Sequence, residues 1–136
     1  MRSRHISTVI PAPASEVYAF AAEPRNLPRW AAGLAQSAVQ MRGDELIASS
    51  PMGEVVVRFV PRNEFGVLDH AVELPAGTIV TNPLRVLAHP DGSEVIFTVR
   101  QIELTDDEFE RDCDMVAADL VRLRDIFSGA WDAPGA

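Results

Sequence analysis

"TDDEFERDCDMVAADLVRLRDIFS", residues 105–128, is the stretch whose reading decides the fold. Thr105 and Glu108 are spaced as a capping box, and Asp106, Asp107 and Glu108 sit where a helix N-terminus is electropositive. Phe109, Cys113, Val116, Leu120, Leu123 and Phe127 then recur at steps of four and three, which puts them in one stripe of a single long helix. Run to about Ser128, such a helix spans roughly 35 Å at 1.5 Å per residue. The remaining acids, Glu110, Asp112, Asp114, Asp119 and Asp125, read mostly as its solvated side; Asp112 borders the stripe, but no facing acid is placed to make a paired-carboxylate site with it. A lone apolar stripe must be buried, so the rest of the chain has to supply a surface for it.

That surface is β-structure. Between Ala35 and Gln101, turn signals fall at Gly43-Asp44, Pro51-Met52-Gly53, Arg62-Asn63, Pro75-Ala76-Gly77 and Pro90-Asp91-Gly92. These five turns cut the region into six short runs with no room for crossover helices, the pattern of antiparallel hairpins. A further β-rich run, "RHISTVIP" (residues 4–11), precedes them and ends at Pro11, giving seven strands in all. Between it and the hairpins, Val17, Phe20 and Ala21 mark a helix begun near Pro13 and ended at Pro24. A second, shorter helix is limited by Pro28, carries Trp30, and stops at Gly33.

The expected architecture is therefore α+β: a strongly curved antiparallel sheet of seven strands, two short helices after the first strand, and a long C-terminal helix across the sheet. Residues 1–136 read as a single domain, with 129–136 a frayed tail.

With 136 residues, 47% of them hydrophobic, the chain can hold a full core without staples. Its one cysteine allows no intrachain disulfide, and the N-terminal apolar run, broken by Ser7 and Thr8, is too short for a signal peptide; a reducing cytoplasm is the expected location. No run reaches the roughly 18 apolar residues of a membrane span. Net charge is −8, with twelve scattered arginines and no lysine. Such a chain is poorly suited to phosphate backbones or anionic membranes, so neither nucleic acid nor membrane insertion is expected.

Between a bent sheet and a straight helix, space is easily left over, and alternation along the strands names its walls. In Gly66–Leu74 the set Leu68, His70, Val72 and Leu74 is the more apolar and should face the helix, leaving Asp69 outward. Asp69 and His70 are therefore not a catalytic dyad. A three-residue loop over Pro75-Ala76-Gly77 then pairs Val72 with Val80, His70 with Asn82 and Leu68 with Leu84. A two-residue loop would instead set Pro83 opposite His70 and turn Arg85 inward. Val55, Val57 and Phe59 on one strand and Val95, Phe97 and Val99 on the last are also inward, the latter with a four-residue loop over Pro90–Ser93 that would let His89 and Glu94 pair outward.

The opening "ISTVIPAPASEVYAFAAEPRNLPRWAAGL" (residues 6–34) and the closing "DMVAADLVRLRDIF" (residues 114–127) together resemble the START-like helix-grip (SRPBCC) superfamily. Its members include polyketide cyclases and dehydratases, Bet v 1-like plant pathogenesis-related proteins and lipid carriers. The resemblance covers nearly the whole chain and is nearest to small bacterial members without assigned activity. It implies a cavity for an apolar or amphipathic small molecule, not a fixed set of catalytic residues.

Three functions are consistent with this reading. The first is binding of a small apolar or amphipathic molecule between sheet and helix, with Trp30, Val57, Phe59, His70, Asn82, Leu84, Phe97, Val116 and Leu120 as candidate contacts. The second is a polyketide cyclase-like or dehydratase-like enzyme with His70 as general acid or base. The third is an interaction module with a filled, ligand-free core. No cofactor is expected, and His5, His70 and His89 on separate strands predict no metal site. Cys113, on the apolar stripe, reads as a packing thiol. A homodimer is left open.

Overall fold

A computed structural model describes residues 1–32, 35, 39–50 and 52–128. Gly33, the expected helix stop, and the expected tail at 129–136 lie outside the described residues. In chain order the elements are β1 (Ser3–Ile10), α1 (Ala14–Ala22), a 3₁₀ turn (Pro24–Asn26), α2 (Leu27–Trp30), β2 (Gln40–Arg42), β3 (Glu45–Ser50), β4 (Gly53–Phe59), β5 (His70–Glu73), β6 (Ile79–Asn82), β7 (Leu84–His89), β8 (Gly92–Arg100) and α3 (Asp106–Phe127).

The single seven-stranded sheet expected from the turns is corrected to eight strands in two sheets among the described residues, ordered β1-β8-β7 and β2-β3-β4-β5-β6. The extra strand comes from Pro83, which divides one expected run into β6 and β7. Proline brings no N–H to a ladder. The next amide, Leu84 N–H, leaves the ladder as well and donates to Asp69 Oδ1 at 2.9 Å. The two ladders are nevertheless stitched together just before β5, where Leu68 N–H donates to Leu84 O at 2.8 Å and Val86 N–H to Gly66 O at 2.9 Å. Gly66 makes this approach possible at φ 71°, since a Cβ there would sit 2.1 Å from Val86 O.

The β5–β6 hairpin has the expected three-residue loop and register. Leu74 N–H donates to Thr78 O at 2.8 Å, Gly77 takes φ 96°, and His70 lies opposite Asn82. The last hairpin is a correction: His89 pairs with Gly92 across a two-residue loop, so Glu94 lies opposite Leu87 and not His89. His89 Nδ1 accepts the Asp91 amide at 3.0 Å, which closes this tighter turn. The register differs from expectation by two residues, so the faces are unchanged and Val95 and Val99 remain buried.

Helix α3 begins with the expected capping box, Glu108 N–H to Thr105 Oγ1 at 3.1 Å and Thr105 N–H to Glu108 Oε1 at 2.8 Å. Its stripe of Phe109, Cys113, Val116, Leu120 and Leu123 is buried, while Phe127 packs edge-on against Phe20 at 5.5 Å. Two acids assigned to its solvated side are engaged instead. Glu110 takes a two-pronged bond from Arg4, 2.8 Å each, and another from Arg2 at 3.1 Å. Asp119 is buried and bound to Arg122. Among the described residues, no helix is long and apolar enough to cross a membrane.

Candidate functional cavity

Sheet and helix do not meet everywhere. Between α2, α3 and the inner faces of β4 to β8 lies a cavity of about 460 Å³. That is within the roughly 300–1,000 Å³ of small-molecule sites. Eight of the nine side chains expected to line such a space do so: Trp30, Phe59, His70, Asn82, Leu84, Phe97, Val116 and Leu120. Val57 faces inward but is fully buried in the packed core, away from the cavity wall.

His70 is the most constrained polar group of the wall, at 3% exposure. Strand alternation turns it inward, and its ring is sandwiched between Phe59, tilted with centroids 4.8 Å apart, and Phe97, edge-on at 5.8 Å. Its Nδ1 lies 2.9 Å from Leu68 O. A carbonyl can only accept, so Nδ1 carries the proton and the neutral ring offers a bare Nε2. Burial, the dominant influence, pushes the imidazole below its ordinary pKa, against smaller upward pulls from the Leu68 carbonyl and the Asp69 charge. Nε2 lies 3.5 Å from Asn82 Nδ2, at the outer limit of a hydrogen bond, so its lone pair is weakly used.

Asp69 faces out, as expected. It holds the Leu84 amide and Arg85, the latter through bonds of 2.9 and 2.7 Å, and these partners draw its carboxyl below the usual range. The pair thus divides its labour: Asp69 secures the strand crossing outside, and His70 faces the cavity.

On the helix wall the sequence named Val116 and Leu120 but not the polar flank beside them. Glu108, Asp112, Met115 and Asp119 of α3 line the cavity, as do Arg100 and Arg111. Asp112, Met115 and Asp119 fall at helical spacing on the flank of the apolar stripe, a signal present in the sequence. Choosing this flank required knowing how the helix rolls on the sheet. Trp30 carries a further polar atom, an indole Nε1 that is buried without a hydrogen-bond partner among the described residues. Burial pushes the Cys113 thiol up, so it stays protonated and a poor nucleophile. Among the described residues, no three His, Cys, Asp or Glu side chains gather as metal ligands would.

Antiparallel β-strands, two short helices after the first strand and a long C-terminal helix over a cavity define a helix-grip, Bet v 1-like fold. Solved structures agree with this at low sequence identity. XoxI from Bacillus cereus superposes with a TM-score of 0.75 at 14% identity, covering 96% of this chain and 98% of its own. Ara h 8.0201 gives 0.66 at 10% identity, covering 93% and 97%. DynU16, a protein of the dynemicin biosynthetic locus, gives 0.73 at 14% identity over 96% of this chain and 49% of its own. No family model and no curated protein matches the sequence.

Proposed function

We propose that this chain binds a small amphipathic molecule in the cavity between the sheet and α3, with His70 and Asn82 orienting one polar group of it. The observation that carries this reading is a neutral, buried imidazole, packed against Phe59 and Phe97 in the cavity wall, whose acceptor nitrogen has only a long contact. Buried polar groups are normally satisfied, so an under-used Nε2 beside open volume suits a ligand hydroxyl or N–H. The volume itself counts against a filled, ligand-free interaction module.

A cyclase-like or dehydratase-like enzyme is the second reading, favoured by the same Nε2: a neutral imidazole in a dry site can take a proton from a substrate carbon or hydroxyl. It would serve as base and not as acid, because its lowered pKa keeps it unprotonated near neutrality. DynU16, from a biosynthetic locus, has the fold this reading needs.

Thermal unfolding in the presence of decanol, below its solubility limit, tests the first reading. Saturable stabilisation of about 2.7 kcal/mol at one hundred times the Kd is expected. No stabilisation by decanol or by any of a panel of similar amphiphiles would withdraw it. His70→Gln separates the two readings: a binder keeps most of its affinity, whereas an enzyme loses turnover by about a hundredfold or more.

A further inference from the structure

Three carboxylates of α3 line the cavity, and two of them are already in use. Glu108 Oε1 accepts the Thr105 amide in the capping box, and Asp119 is bound to Arg122. Asp112 is different. It is half-buried, it has no hydrogen-bond or ion-pair partner among the described residues, and burial is the sole influence on its carboxyl, which is pushed up. Neither of the cavity's two arginines pairs with it among the described residues, and Arg100 reaches Thr81 O instead, at 3.5 Å. A carboxylate partly withdrawn from water without a counter-charge is costly, and a cation delivered to it recovers that cost.

Trp30 borders the same space, and its aromatic surface suits a nearby cation.

We infer that the cavity selects amphipathic molecules carrying a protonated amine, with Asp112 as the residue that reads the charge. This rests on the small-molecule reading of the cavity and narrows it. Neutral amphiphiles should enter less tightly, and anionic ones, such as fatty carboxylates, should be disfavoured by Asp112.

Titration of the purified protein with decylamine, decanol and decanoate at pH 7.5, each below its micelle-forming concentration, tests this. Decylamine should bind at least tenfold more tightly than decanol, and decanoate more weakly than decanol. Asp112→Asn should bring the amine-to-alcohol ratio down to within about threefold. Asp114→Asn, the same charge change at an exposed position on the same helix, should leave the ratio as it was. Equal binding of amine and alcohol by the wild type, or a ratio unmoved by Asp112→Asn, would overturn the charge selection while leaving the cavity reading in place. So would Asp114→Asn lowering the ratio as much as Asp112→Asn, because the net charge of the chain would then explain the preference. Binding of none of the three would withdraw the cavity reading and the inference together.

Discussion

Helix α3 meets the sheet in two different ways. Along β1 the seam is filled and clamped: Arg2 and Arg4 lie over the Phe109 ring at 4.8 and 5.4 Å while both grip Glu110. Opposite β5 and β6 the same helix stands away from the sheet, and the gap is bordered by His70, Asn82 and Asp112. One face of one helix therefore serves two purposes. The apolar stripe with its arginine clamp holds the helix in place, and the flank beside it is released to line a cavity.

The contrast predicts unequal costs. Phe109→Ala, at the filled seam, should lower stability by about 3–5 kcal/mol in denaturant unfolding. Phe97→Ala, whose ring already borders open volume, should cost clearly less than that; equal losses would mean that the cavity is not empty space in solution. Gly66→Ala tests the joint between the two ladders. Its Cβ would meet Val86 O at 2.1 Å in a left-handed conformation, so a loss of about 1–3 kcal/mol is expected, with Gly77→Ala, free of neighbours, costing less.

A pH effect should come from the cavity side. In the unfolded chain His70 titrates near 6.5, while burial lowers its pKa in the fold. Below pH 6.5 the unfolded state therefore binds the proton first. Stability is full above that pH and falls as the pH drops toward the folded value, by at most about 1.4 kcal/mol per pH unit from this group. His70→Gln should remove that component between pH 6.5 and 5, read as a flatter unfolding midpoint against pH. The smallest effect belongs to the helix start, where Thr105→Ala should cost about 1 kcal/mol.

Much of this was legible in the sequence, for physical reasons that differ by element. The long helix announced itself through the capping box and the 4-3-4-3-4 stripe, both of which are local signals. The β5–β6 register was readable because Gly77 and the apolar alternation constrain it from two directions, and with it came the pairing of His70 with Asn82. Pro83 was in plain view, yet its consequence, a strand leaving one ladder for another, depends on a long-range bond from Leu84 N–H to Asp69. The last hairpin was misread by two residues because the histidine side chain closing its loop competes with turn rules based on backbone alone. Asp112 was legible as a border of the stripe but not as a cavity residue, and Met115 not at all, because helical spacing defines flanks without saying which one faces a cavity.

The central claim is that the space between α3 and β5–β6 accepts a small amphiphile that uses His70 and Asn82. Nuclear magnetic resonance titration with decanol tests it directly. Saturable shifts of the His70 ring and Asn82 side-chain amide signals are expected, with the Arg4 and Glu110 signals of the filled seam unmoved. Shifts confined to the seam, or none that saturate, would contradict the account.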